Sequence, residues 1–164
     1  MMRAATTIAA LFLAAPAHAG GTVIHAGSAW AAIDFGSACE ARSRALRIAA
    51  KGEVGGIAGF AFTPDRRRWG EFHARLSRSV RPGSSVILTI GDRPFLLAPR
   101  GGWAWSRGPA QEQAIIAAAR SAGGMRVEGR DPSGRRFSDR YSLDGAPTAI
   151  DAAAARCAGK IAPR

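Results

Sequence analysis

The chain has only two cysteines, Cys39 and Cys157, and they lie near opposite ends of the sequence. A bond between them would enclose almost every element of the fold in one covalent loop, which requires the first strands and the last helix to meet. Pairing requires an oxidising compartment. The start of the chain points to one: Met1-Met2-Arg3 is a short positive region, Ala4 to Ala15 is an apolar run with Ile8, Leu11, Phe12 and Leu13, and Pro16-Ala17-His18-Ala19 ends in an A-x-A cleavage pattern. Residues 1–19 are therefore predicted to be a signal peptide, and residues 20–164 a single exported domain. The apolar run is shorter than the roughly 20 residues that cross a bilayer, and no other stretch reaches that length, so no transmembrane segment is predicted in the mature protein. No C-x-x-C spacing suggests a redox-active pair, and the expected state is a structural disulfide between Cys39 and Cys157.

Strands dominate the pattern between the cysteines. Trp30, Ile33 and Phe35 suggest a strand over 28–35, and Leu46 and Ile48 extend a second one from Cys39 to Ile48. Residues 57–62 are followed by the turn signal Thr63-Pro64-Asp65, then by Phe72, Ala74 and Leu76 alternating with His73, Arg75 and Ser77; this is a hairpin with Arg66-Arg67-Arg68 in its connection. The alternation places His73 on the solvated face. Val86 to Ile90 and Pro94 to Leu97 form a second strand pair, apolar on both faces and so expected to be the most buried part of the sheet. Trp103 and Trp105 share a face if their segment is extended.

Helix signals are confined to two places. Gly108-Pro109 opens a helix over about 109–122, with Glu112 near its positive end, Arg120 near its negative end, Gly123-Gly124 as its stop, and Ile115, Ala118, Ala119 and Ala122 as its buried stripe. A hairpin follows, from Met125-Arg126-Val127-Glu128 through the turn Asp131-Pro132-Ser133-Gly134 to Phe137, Asp139, Tyr141 and Leu143. The last helix spans about 144–158, with Asp144 as N-cap and Gly159 as terminator, and it turns Cys157 inward with Ile150, Ala153 and Ala154. The expected class is α+β, mainly an antiparallel β-sheet or sandwich with two helices.

The motifs offer little catalytic chemistry. After signal removal only His25 and His73 remain, no His, Cys or carboxylate group has metal-ligand spacing, and no glycine-rich stretch reproduces a phosphate-binding fingerprint. No metal site, cofactor or catalytic residue is predicted; a small envelope hydrolase built on His73 is the alternative, although no nucleophile elbow supports it. Asp139 shares a face with Phe137 and Tyr141 and is expected to be buried in an ion pair with Arg126 or Arg140. The formal net charge is +11, nearly all of the excess being arginine, which predicts salt-sensitive attraction to polyanions but no specific nucleic acid. Arg66, Arg67, Arg68, Arg75 and Arg78 form the candidate anion-binding patch, and Trp69, Trp103 and Trp105 the candidate aromatic surface.

The C-terminal third also carries a resemblance. Ala114-Ile115-Ile116-Ala117-Ala118-Ala119-Arg120, then Met125-Arg126-Val127-Glu128, then Phe137 to Ile150 with its Ser142-Leu143-Asp144-Gly145 entry into the final helix, together with the Trp30 to Cys39 opening, resemble the invasion-associated locus B family of exported bacterial proteins. The resemblance implies a periplasmic or secreted, non-enzymatic protein, sometimes linked to host-cell invasion, and supplies no catalytic residues. The function expected on these grounds is that of an accessory or binding protein whose basic surface meets an acidic envelope component or a protein partner. A purely structural envelope protein is a third reading.

Overall fold

Ten strands and two helices account for the fold in the computed structural model, which describes residues 20–160; the predicted signal peptide lies outside the described residues. The strands are β1 (Thr22–Gly27), β2 (Trp30–Asp34), β3 (Cys39–Arg44), β4 (Ile57–Phe62), β5 (Trp69–Arg75), β6 (Val86–Ile90), β7 (Arg93–Arg100), β8 (Trp103–Trp105), β9 (Gly124–Arg130) and β10 (Arg136–Ser142). They form one antiparallel sheet in the order β1-β2-β3-β4-β5-β8-β7-β6-β9-β10. The helices are α1 (Pro109–Ala119) and α2 (Ala146–Ala158). No described helix is long and apolar enough to cross a membrane.

One face of this sheet makes the core. Phe60 in β4 lies 5.8 Å from the ring of Trp30 and 5.4 Å, edge-on, from Phe72, with Ala32, Cys39, Ala41, Ala58 and Ala74 filling the spaces between them. The small residues let α2 settle closely on β2 and β3, while α1 lies against β5. Ile150, Ala153 and Cys157 are buried in that contact, and Cys157 is bonded to Cys39, their Cα atoms 5.7 Å apart. The sheet curls until its far end meets its beginning: the Trp30 indole N–H donates to the carbonyl of Ser142 at 2.8 Å, and the Ala29 N–H to that of Asp144 at 3.2 Å.

Several boundaries differ from the sequence expectation, each for a local reason. The strand expected over 28–35 begins at Trp30, and an unexpected strand, β1, precedes it; β1 has exposed side chains and is held by its ladder to β2. The strand expected from Cys39 to Ile48 ends at Arg44, because the Ala45 N–H turns to the Gly56 carbonyl and the Leu46 N–H to that of Arg140 in β10. Leu46 and Ile48 are consequently exposed. Nor is the β6–β7 pair buried on both sides: Val86, Leu88, Ile90, Phe95 and Leu97 face the core, but Ile87 and Leu96 on the other face are 39% and 42% exposed. Helix α1 stops three residues short of the predicted end, with Arg120 at its C-cap. Helix α2 starts after Gly145, whose φ of 81° provides the entry; Asp144 makes no side-chain cap. Glu112 is buried, accepting a hydrogen bond from the Ser106 hydroxyl at 3.1 Å, and burial raises its pKa.

The end of α2 is held by charge as well as by sulfur. Arg156 donates to the nearly buried Asp34 at 2.7 Å, and Lys160 bonds the other carboxylate oxygen. Lys160, the Gly36 N–H and Arg156, in that order, hold Asp34 far below its ordinary value of 3.8. A carboxylate whose folded pKa is depressed contributes stability that is complete above the unfolded value and is lost as pH falls below it. The stability gap between wild type and Asp34→Asn, measured by urea unfolding, is therefore expected to be constant from pH 7 to 5 and to shrink below about pH 4. An equal gap at pH 6 and pH 3 would show that this linkage is wrong.

Candidate anion-binding face

The arginines singled out in the sequence fall into two groups at opposite ends of β5. Arg66, Arg67 and Arg68 lie in the β4–β5 turn, where Arg66 stacks over Trp69 at 4.5 Å, Arg67 approaches Asp65 at 3.5 Å and Arg68 approaches Glu71 at 3.4 Å. Trp69 packs edge-on against Phe62. Arg75 lies at the other end of the strand, six residues and about 20 Å away at strand rise. It pairs in register with Trp103, and its guanidinium donates to the Gly55 carbonyl at 3.1 Å. Arg78, just beyond, reaches Asp131 at 3.3 Å. Arg75, Arg78, Arg47 and Trp103 line a cleft of about 500 Å³, and Trp105 stacks beside Trp103 with ring centroids 6.2 Å apart. The structure thus joins Arg75, Arg78, Trp103 and Trp105 and leaves Arg66, Arg67, Arg68 and Trp69 at a separate site.

His73 is not solvated. It does point to the outer face, as its alternation requires, but there it is only 5% exposed, covered by Trp103 at 6.0 Å and facing Glu40 across 3.5 Å. Gly59 makes the space: a Cβ at that position would lie 2.8 Å from the imidazole Nε2. Burial acts to raise the Glu40 pKa, but His73 and Arg42 outweigh it and hold the carboxyl below its usual range. Among the described residues no Ser, Thr or Cys side chain hydrogen-bonds to His73.

Asp139 is buried as expected, but not in an ion pair. Its carboxylate accepts the Ser77 N–H at 2.9 Å. Arg126 and Arg140 are on the other side of the hairpin, because Asp139 pairs with Val127 whereas Arg140 pairs with Arg126, and neighbouring residues of a strand face opposite ways. Arg126 instead bonds Glu128 at 2.8 Å.

That outer side of β9–β10 carries the most concentrated positive charge described. Arg136 stands directly across from Arg130, and Arg140 directly across from Arg126. Like charges in such pairs destabilise a sheet. At the turn end of the hairpin, next to that side, the segment between β5 and β6 adds two more: Arg78, already bonded to Asp131, and Arg81, whose backbone N–H donates to the Arg130 carbonyl at 2.9 Å. Arg135 in the hairpin turn also approaches Asp131, at 3.3 Å. Seven arginines thus meet two carboxylates, Glu128 and Asp131, and both are already engaged. The Ser133 hydroxyl, the Arg135 N–H and the Arg135 guanidinium prevail over burial and bring Asp131 down to about 2, so it is ionised at any ordinary pH. Among the described residues, Arg81, Arg130, Arg136 and Arg140 have no carboxylate within 4.0 Å. Such a face can hold an anion by charge-assisted hydrogen bonds from several guanidinium groups.

The sequence signal for this face is the spacing Arg126-x-x-x-Arg130 facing Arg136-x-x-x-Arg140, which converges only once the hairpin register is known. No described His, Cys, Asp or Glu cluster could hold a metal ion. No protein-family model, curated protein or solved structure matches the chain.

Proposed function

We propose that the chain is an exported, non-enzymatic binding protein, periplasmic or secreted, that uses the outer face of β9–β10 to engage an acidic component of the cell envelope. The observation that carries this reading is the two pairs of opposed arginines, Arg136 with Arg130 and Arg140 with Arg126. A charged row along the edge strand β10 would by itself protect that edge from unwanted pairing. Arg126 and Arg130, however, lie on the interior strand β9, where edge protection is not needed; apart from the bonds of Arg126 to Glu128 and of Arg130 to the Gly134 carbonyl, the opposed like charges cost stability. A bound polyanion turns that cost into affinity. The signal-like first 19 residues, the disulfide and the resemblance to the invasion-associated locus B family support the exported setting.

Two variants with the same change in net charge test the reading. Arg130→Ser/Arg136→Ser/Arg140→Ser is expected to leave phosphocellulose at markedly lower salt than wild type, and Arg66→Ser/Arg67→Ser/Arg68→Ser to elute close to it. At physiological salt charges interact over only about 8 Å, so a cluster and a dispersed turn are not equivalent. Elution of the two variants at one salt concentration would reduce the effect to net charge and remove the site.

A further inference from the structure

The outer surface beside the arginines is apolar, and the sheet register makes the two continuous. One row of partners runs Ser138, Glu128, Ile87, Leu96 across β10, β9, β6 and β7; the next runs Arg140, Arg126, Thr89, Pro94. Ile87 and Leu96, the two large apolar side chains left exposed in the β6–β7 pair, are therefore direct cross-strand neighbours near the arginine hairpin. Ile87 also shares a cleft of about 530 Å³ with Arg130, Arg136 and Phe137. Farther along the same face, Ala98 of β7 pairs with Trp105 and Arg100 with Trp103. The apolar pair thus has Glu128, bonded to Arg126, directly beside it, the hairpin arginines diagonal to it, and Arg100 with two half-buried indoles farther along β7.

We infer that this face docks on an anionic lipid bilayer, a reading that rests on the anion-binding role proposed above and names its target. A soluble polyanion would be met by the arginines alone and would leave Ile87 and Leu96 in water. A bilayer carrying acidic lipids offers phosphate groups to Arg126, Arg130, Arg136, Arg140 and Arg100, and an acyl boundary to Ile87, Leu96 and Pro94. Arginine near an acidic lipid surface, apolar side chains at the acyl boundary and tryptophan at the interface are each favourable there.

Co-sedimentation of the folded protein with vesicles tests this. Wild type is expected to pellet with vesicles of phosphatidylcholine containing about one-third phosphatidylglycerol at 0.15 M salt, and to stay in solution with pure phosphatidylcholine. Ile87→Ser/Leu96→Ser is expected to bind the acidic vesicles roughly tenfold more weakly, given the apolar surface removed, while its elution from phosphocellulose is unchanged. Acidic-vesicle binding equal to wild type in that variant would overturn the inference. So would a wild type held on phosphocellulose but not by vesicles, an outcome that leaves the anion-binding role standing with a non-lipid target. Absence of salt-sensitive retention on either material would remove both.

Discussion

Cys39→Ala/Cys157→Ala is expected to unfold with a free energy about 4 to 5 kcal/mol lower than wild type, because the bond closes a loop of 118 residues and loop-closure entropy grows with length. A domain of this size is typically stable by only about 5 to 15 kcal/mol. The variant should accordingly be partly unfolded at 37 °C, and its urea midpoint under non-reducing conditions should fall well below that of wild type. The site of the bond sharpens the expectation. Cys157 is in the last turn of α2 and Cys39 begins β3, so its loss leaves the helix end to Asp34, Arg156 and Lys160 alone. An unchanged midpoint would mean that burial of Ile150 and Ala153 already fixes α2, and that the closed loop adds nothing.

Phe60→Ala carries the next largest expected effect, about 3 to 5 kcal/mol. Phe60 is fully buried in β4, between Trp30 and Phe72, where neither neighbour can move inward without leaving its own contacts. The cavity would thus persist. Ile48→Ala removes a side chain that is 91% exposed and should change stability by less than about 0.5 kcal/mol. Urea unfolding followed by near-ultraviolet circular dichroism compares the two directly; a Phe60→Ala cost no greater than that of Ile48→Ala would place the core elsewhere.

The contrast between those two positions shows where sequence reading succeeds. Where apolar residues alternate and a turn signal separates two runs, as in 57–62 with 72–76 and in 125–128 with 137–143, the hairpins are visible because burial and period agree. The Cys39–Cys157 bond is legible for a related reason: helical spacing turns Cys157 to the same side as Ile150 and Ala153. Leu46 and Ile48 continue the alternation of β3, yet the backbone leaves the ladder there to bond Gly56 and Arg140, and no local pattern announces a partner almost a hundred residues away. β1 is hidden for the opposite reason, since its ladder holds side chains that bury little.

Charge is harder to read than apolarity. Arg66-Arg67-Arg68 attracts attention because the three are consecutive, but consecutive residues in a turn diverge, and these three end on Trp69, Asp65 and Glu71. Arg126, Arg130, Arg136 and Arg140 are separated by other residue types, and they converge because an even spacing on paired strands puts them on one surface. His73 shows the same limit: its parity is legible, but its enclosure depends on the missing side chain of Gly59 two strands' breadth from Trp103.

The join between β3 and the last turn of α2 also sets an order of events during biogenesis. If the chain is exported as proposed, Cys39 reaches an oxidising compartment 118 residues ahead of its partner and waits for it. A chain interrupted before Cys157 keeps a reactive thiol that no internal group can satisfy. In such a compartment unfinished copies would differ chemically from finished ones, and would be open to mixed disulfides from which completed molecules are exempt.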